Sequence, residues 1–183
     1  MKLIEIDDIF NPDNMENIFP ITNPLDPIQN TTQYNFKNIP ILLKLVNDTI
    51  DYIINNNINY GFTRQQLLDR AEVQGQNYTG DIFVFHYDSY NEDDRVFEPY
   101  GQRIITGLAY CNANFEGGFT HFPKIDKYII PKKGKMVLFT NVNDDFTLDH
   151  FSIHRATEVI NGRKSIFNVW FREKPTGIKL TEN

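Results

Sequence analysis

The chain has 183 residues, 40% hydrophobic and 14% aromatic, enough to bury a real core with little room for a second, so one globular domain over 1–183 is expected. A formal net charge of −6 disfavours nucleic acid as a partner, because such binding draws on a basic surface that releases counterions. Cys111 is the single cysteine, which excludes an internal disulfide; the start MKLIEIDDIF carries acidic residues where a leader would be apolar, and no run reaches the length of a membrane span. A soluble intracellular protein with no signal peptide and no membrane partner is expected.

In chain order, MKLIEI alternates as a short first strand, and Phe10 to Phe36, rich in Asn, Pro and Asp, reads as an irregular arm. From Asn38 to Ile58 the spacing of Ile41, Leu42, Leu45, Val46, Ile50, Ile53 and Ile54 predicts a helix, with Asn38 as its cap and Pro40 in its first turn. A shorter helix is predicted over Thr63 to Ala71, with Leu67 and Leu68 on its apolar side. From Val73 onward the segments DIFVFHYDSY, RIITGLAYCN, KYII, MVLFTN, ATEVI and SIFNVWFRE read as strands, with turns at Glu116-Gly117-Gly118, Lys133-Gly134 and Asn161-Gly162. Helices first and strands after predict a mainly β fold with supporting α-helices, a sandwich or jelly roll. The division expected is an arm with supporting helices over 1–72, a jelly-roll core with the site over 73–173, and a tail over 174–183.

Four polar residues of the second half carry the chemistry: His86 and Asp88 in FVFHYDSY, His154 in DHFSIHRA, and Lys164 in NGRKSIFNVW. Residues i and i+2 of a strand share a face, so His86 and Asp88 can reach one ion while Phe85 and Tyr87 turn into packing on the other side. Two imidazoles and a carboxylate are the set that holds a non-heme Fe(II) on one face and leaves the other open. Lys164 shares its strand face with Ile166, Asn168 and Trp170, and a lysine turned into an enclosed lumen is costly unless it meets an anion. Each residue alone is a weak signal: H-x-D pairs and single histidines are common at surfaces, and a strand lysine is normally solvated. His150, which shares strand parity with His154, is the alternative third ligand, and Asp149 a candidate to orient His154 from behind.

The stretch from His86 to Arg172 also resembles the catalytic domain of the prolyl 4-hydroxylase branch of the 2-oxoglutarate and Fe(II)-dependent dioxygenases. The motifs that carry the likeness run in order: His86-Tyr87-Asp88, the Arg-x-x-Thr start of RIITGLAYCN, Gly117-Gly118-Phe119-Thr120-His121-Phe122-Pro123, PKKGKMVLF, and SIHRATEVINGRK with Lys164 ten residues after His154 and Trp170 six further on. The resemblance implies a double-stranded β-helix, a jelly-roll variant. It implies that His86, Asp88 and His154 are the metal ligands, and that these with Lys164 make up the catalytic set. Fe(II), 2-oxoglutarate, O2 and ascorbate are the implied cofactors and co-substrates. Lys164 would pair with the C5 carboxylate of 2-oxoglutarate, assisted by Thr120; Arg103 and Trp170 match positions that contact a proline-containing peptide or protein substrate.

Two positions depart from the pattern. The family's tyrosine nine residues before the first histidine is here Asn77, with Tyr78 next to it; Tyr78 is taken as the co-substrate residue through a shift of one, although alternation sets neighbours on opposite faces. Phe83 stands where a tyrosine is common, which removes a hydroxyl. The function implied is hydroxylation of prolyl residues with oxidative decarboxylation of 2-oxoglutarate to succinate. The alternatives are a lysyl or other side-chain hydroxylase, which would use arginine such as the adjoining Arg163, and a non-catalytic jelly-roll module with a vestigial metal site. Ser89 to Gln102, with its acidic run and Tyr90, Phe97 and Tyr100, reads as a loop able to close over a peptide.

Overall fold

A computed structural model describes residues 1–19, 30–80, 83–91 and 99–179 of the chain. Among these, the elements follow in order as β1 (Leu3–Ile6), β2 (Asn30–Tyr34), α1 (Pro40–Asn55), α2 (Arg64–Arg70), β3 (Ala71–Tyr78), β4 (Phe83–His86), β5 (Arg103–Tyr110), β6 (Glu116–Gly117), β7 (Thr120–Phe122), β8 (Lys127–Ile129), β9 (Met136–Thr140), β10 (His154–Ala156), β11 (Val159–Asn161) and β12 (Lys164–Arg172). The strands form a six-stranded sheet in the order β1-β9-β5-β12-β3-β2, a four-stranded sheet β4-β10-β7-β8 and the pair β11-β6. Every pairing is antiparallel. This is the jelly roll expected from the strand-rich second half.

The four inner strands of the six-stranded sheet, β9, β5, β12 and β3, are largely buried on both faces. Toward the helices they present Val73, Ile105, Ala109, Phe167, Val169 and Phe171, all fully buried. The α1 stripe Leu42, Leu45, Val46, Thr49, Ile50 and Ile53 packs there. Gly107 allows the close approach: a Cβ at that position would lie 3.2 Å from Met136 Sδ and 3.4 Å from Thr49 Cγ2. The other face turns into the space between the sheets, where Leu108, Tyr110, Phe122, Ile129, Val137 and Phe139 make a second cluster. Among the described residues no helix is long and apolar enough to cross a membrane.

The structure departs from the sequence expectations in places that have physical reasons. α1 begins at Pro40 with Ile39 as its cap and no capping side chain, so Asn38 does not cap it; Asn38 instead lies in a short 3-10 turn. α2 is closed by a capping box, Thr63 N–H donating to Gln66 Oε1 at 2.9 Å and Gln66 N–H to Thr63 Oγ1 at 3.3 Å. The expected irregular arm contains a strand, β2, which pairs with β3 through polar residues whose pattern carries little hydrophobic signal. ATEVI divides into β10 and β11, which belong to different sheets.

Packing on the helix side is tight at one glycine of β3. A Cβ on Gly75 would come within 2.8 Å of both Phe19 and Tyr34 ring atoms and 3.0 Å of Phe167. Those rings already pack on one another, Phe19 stacked on Phe167 at 4.6 Å between centroids and Tyr34 edge-on to Phe167 at 5.7 Å. Gly75→Ala should therefore destabilise by about 1–3 kcal/mol through overpacking. Equilibrium urea unfolding measures the change; an unchanged midpoint would show that the aromatic cluster yields without cost.

Candidate active site

β4 delivers His86 through an irregular register. His154 lies opposite His86, but Ala156 lies opposite Phe83, so three steps on β4 match two on β10. This bulge lets Phe83 and His86 both serve the inner side, where Phe83 packs against His86 at 4.4 Å between centroids and against Tyr78 at 6.3 Å. Phe85 consequently does not turn into packing as alternation predicted: it is 45% exposed, with the Arg155 guanidinium over its ring at 4.6 Å. β4 ends at His86, and Asp88 lies in the bend beyond it.

His86, Asp88 and His154 nevertheless meet. One candidate ligand atom from each lies within 4.8 Å of the other two. His86 Nε2 is 3.7 Å from Asp88 Oδ1, and His154 Nε2 is 4.0 Å from Asp88 Oδ2. Each imidazole fixes its other nitrogen on a carbonyl two residues upstream, His86 Nδ1 on Val84 O at 2.8 Å and His154 Nδ1 on Ser152 O at 2.9 Å. The carbonyls require Nδ1–H, so both Nε2 lone pairs remain to face the carboxylate. Burial, with the neighbouring His154, lowers His86 to about 4, which keeps it in the neutral form a metal needs. Burial pushes the Asp88 carboxyl up, but the two imidazoles, the Thr106 hydroxyl and Arg103 outweigh it and hold the group below the ordinary carboxylate range. The donor set suits a divalent transition metal such as Fe(II).

Two supporting residues escaped the sequence reading. Thr106 Oγ1 donates to Asp88 Oδ2 at 2.6 Å, and Asn141 Nδ2 donates to Thr106 Oγ1 at 2.8 Å. Thr106 is the threonine of the Arg-x-x-Thr strand start, so its position was visible although its role was not. His150 is exposed and lies outside the cluster, its Nδ1 3.4 Å from the Tyr87 hydroxyl. Asp149 does not orient His154 directly. It accepts from Phe151 N–H at 2.9 Å, and its carbonyl accepts from Ser152 Oγ at 2.7 Å, so it shapes the turn whose Ser152 carbonyl holds His154.

Lys164 is 1% exposed, and among the described residues no carboxylate pairs with it. Its Nζ donates to Gly118 O at 2.7 Å and lies 5.5 Å from the Tyr78 ring centroid and 5.3 Å from that of Tyr110. Burial lowers its pKa to about 7. Gly118 has φ +63°, and a Cβ there would stand 2.9 Å from Phe115 and 3.2 Å from Lys164 Cδ, so only glycine brings this carbonyl to the ammonium. Thr120, 2% exposed, shares a hydrogen bond of 2.6 Å with the Tyr110 hydroxyl. Tyr78 lies directly opposite Lys164 in the β3–β12 register, and antiparallel partners share a face. The shift of one thus places Tyr78, not Asn77, beside the lysine; Asn77 turns away and accepts from Ser165 Oγ at 2.7 Å. Arg163 precedes β12 and is only half-buried.

Tyr78 and Thr120 line a pocket that also exposes His86, Asp88, His154 and Trp170, with Arg103 at the same wall. Lys164 does not itself line this pocket, but its Nζ lies against the Tyr78 ring that does, 5.5 Å from the centroid. Arg103 lies over the Trp170 ring, 3.6 Å from its centroid, and Nη2 bonds Glu72 Oε1 at 3.2 Å. Glu72 also accepts from Arg172 Nε at 2.7 Å; burial raises its carboxyl, and the two guanidiniums overcome that and lower it. Trp170 Nε1 and Arg103 Nε are buried without a hydrogen-bond partner among the described residues. Gln74, Gln76 and Asn168 complete the polar wall, residues that the alternation of β3 and β12 sets on the pocket face. The loop over Ser89 to Gln102 falls partly outside the described residues, at 92–98, including the acidic run and Phe97. Its neck is closed by Gln102, which accepts from Ser89 Oγ at 2.6 Å and Tyr90 N–H at 2.8 Å and donates to Tyr90 O at 2.8 Å.

A jelly roll with a histidine-carboxylate-histidine cluster on its inner face and a buried cation behind the same pocket defines a non-heme iron oxygenase type of site. The family model of the 2OG-Fe(II) oxygenase superfamily matches residues 73–172, and the chain belongs to that family. Among curated relatives, prolyl 4-hydroxylase 1 of Arabidopsis thaliana is 34% identical over 117 residues, covering 57% of this chain and 41% of its own length. Prolyl 4-hydroxylase subunit alpha-1 of Homo sapiens is 29% identical over 158 residues, covering 84% of this chain and 29% of its own length. The chain therefore spans less than half the length of these relatives. The viral collagen prolyl hydroxylase of Paramecium bursaria Chlorella virus-1, solved with 2OG, superposes with a TM-score of 0.72 at 24% identity, covering 93% of this chain and 95% of the other. The resemblance to the prolyl 4-hydroxylase branch and the jelly-roll fold are thus both borne out.

Removing the outer support of the carboxylate should weaken metal binding without removing a ligand. Thr106→Val is expected to lower affinity for Mn(II) about 10–100-fold. His154→Ala should cost more than that and His150→Ala nothing, all measured by metal titration. Equal losses for His150 and His154 would contradict the ligand set.

Proposed function

We propose that this chain is an Fe(II) and 2-oxoglutarate-dependent dioxygenase that hydroxylates prolyl residues in a peptide or protein. The observation that supports it most directly is the pairing of one pocket's metal-type cluster with a buried ammonium behind its wall. His86, Asp88 and His154 are the residues that would hold the iron. Iron bound there supplies the redox chemistry by which 2-oxoglutarate and O2 yield succinate, carbon dioxide and a hydroxylated C–H bond.

The protein's own groups then bind, orient and exclude water. Lys164 receives the distal carboxylate, with Thr120 and Tyr78 at its sides, and gains the counter-charge that its burial otherwise denies it. Phe83 offers no hydroxyl, so Tyr78, Thr120 and Lys164 carry the polar contacts at this end. Trp170 Nε1–H and Arg103 Nε–H are buried donors at the pocket wall without partners among the described residues, and a peptide's carbonyl oxygens supply acceptors for them. That favours a peptidyl over a free proline. Phe139 and Phe122 pack on His154 at 5.0 and 5.4 Å between centroids and keep the cluster dry on its inner side.

Turnover of Fe(II), 2-oxoglutarate, O2 and a proline-containing peptide, with ascorbate as reductant, tests the assignment: succinate should form together with a peptide one oxygen heavier. Succinate without peptide oxidation would reject proline as the target and leave the oxygenase.

The lysine makes a separate prediction for pH. A dianionic co-substrate requires the ammonium form, and the buried amine loses its proton above about 7. Below that pH the charged form is already present and affinity is flat. Above it each binding event takes up one proton, so affinity for 2-oxoglutarate falls about tenfold per pH unit until the lysine's pKa in the complex is reached. Calorimetry at pH 8 with Mn(II) in place of iron, in buffers of different ionisation enthalpy, reads that proton. Binding without proton uptake would mean that Lys164 does not carry the contact.

A further inference from the structure

The pocket face of β3 carries a row of polar side chains at every second residue: Glu72, Gln74, Gln76 and Tyr78. Their hydrogen bonds run in one direction. The Tyr78 hydroxyl donates to Gln76 Oε1, and Gln76 Nε2 donates to Gln74 Oε1 at 2.7 Å. Gln74 Nε2 donates across to Gln33 Oε1 on β2 at 3.4 Å, and Gln33 Nε2 returns to Glu72 Oε1 at 2.9 Å. Glu72 ends the row because a carboxylate between Arg103 and Arg172 can only accept.

A carboxamide has a donor end and an acceptor end, so an unconstrained row could run either way. The acceptor-only terminus removes that choice: each amide must pass its N–H toward Glu72, and Tyr78 must enter the row as a donor. The row therefore begins beside Lys164, where the proposed function puts the co-substrate carboxylate, and ends on the residue that holds Arg103, where it puts the peptide.

We propose that Gln33, Gln74 and Gln76 are positioning residues through which occupancy of one end of the pocket changes affinity at the other. The inference rests on the proposed function. A carboxylate arriving at Lys164 competes with Gln76 for the Tyr78 hydroxyl hydrogen. Once Tyr78 turns, Gln76 loses its donor, and the row cannot compensate by reversing because Glu72 cannot donate. Hydrogen bonds in series polarise one another, so losing the first weakens the last, the hold of Gln33 on Glu72. Glu72 is then freer to move with Arg103 when a peptide carbonyl approaches. The expected sign is positive: co-substrate strengthens peptide binding, and by linkage peptide strengthens co-substrate binding by the same factor.

Gln33 is the place to test this, since it is exposed, lies outside the pocket lining and touches neither proposed ligand. Gln33→Leu removes both of its hydrogen bonds; Gln33→Glu keeps its shape but cannot donate to Glu72. The measurement is fluorescence anisotropy of a labelled proline-containing peptide against the Mn(II)-loaded chain, with and without saturating 2-oxoglutarate. In the parent, 2-oxoglutarate should tighten peptide binding about fivefold or more. In both variants that ratio should fall to near one, with an unchanged melting temperature showing that the sheet is intact. A ratio that survives in both variants, or a parent that binds both ligands without coupling, overturns the row and leaves the proposed function standing. A parent that binds no 2-oxoglutarate overturns both.

Discussion

Strand β12 must hold one register, and the site depends on it more than on any other constraint. All nine residues are buried, and Ile166 to Phe171 are paired on both sides, with β3 and with β5. Ser165, Phe167, Val169 and Phe171 face the helix side, where Phe167, Val169 and Phe171 join the apolar core, while Ile166, Asn168 and Trp170 line the pocket and Lys164 shares their face opposite Tyr78. A slip of one residue would put Lys164 and Asn168 among Leu, Ile and Phe side chains and turn three core residues into the pocket, so the hydrophobic effect itself selects the arrangement that points the lysine inward. Stability and site geometry are here the same choice.

That register also brings several charges into a low-dielectric space, and each is accommodated differently. Asp88 meets a hydroxyl and two imidazoles, and Glu72 meets two guanidiniums. Lys164 has the weakest support, one carbonyl and the faces of two phenol rings, and it is the group whose ionisation burial suppresses most plainly. Carboxylates stabilised by the protein remain charged and ready to act as ligand or tether. A cation left short of partners gains most from an incoming anion. The contrast fits a site in which metal and arginine positions are preset and the co-substrate end is completed on binding.

How far the sequence could be read follows from the kind of signal each feature leaves. Strands β5, β9 and β12 and both helices were legible because their apolar patterns are strong, and Lys164 and Trp170 followed from parity along β12; β3, as long as β5 but polar at every second residue, carries no such pattern. Strands β6 and β7, of two and three residues, were not legible, because so few residues cannot display a period; β8, just as short, was legible only through the apolar run KYII. β2 was missed since it is polar and held by pairing to β3 rather than by burial. Tyr78 was the instructive case. Alternation correctly set it opposite to Asn77, but which of the two faces Lys164 is decided by the pairing Lys164↔Tyr78, a property of two strands that one strand's pattern cannot contain. Phe85 failed for a related reason: a bulge breaks the period of two, and nothing in FVFH announces it.

The same bulge shows why the histidine cluster needs so little from elsewhere in the chain. A ligating imidazole must have its tautomer chosen and its ring held, commonly by an acidic residue behind it. Here both rings are held by their own backbone, each on the carbonyl two residues upstream. Asp149 is therefore free to stabilise the turn before His154, so its effect on the imidazole passes through Ser152. The carboxylate ligand follows the opposite logic. Asp88 lies past the end of β4, where no ladder fixes it, and its direction comes from Thr106 on β5, itself held by Asn141 just beyond β9. The two histidines are placed by local backbone geometry and the aspartate by the major sheet, so the cluster spans both layers of the fold and assembles only when the sheets pack against each other.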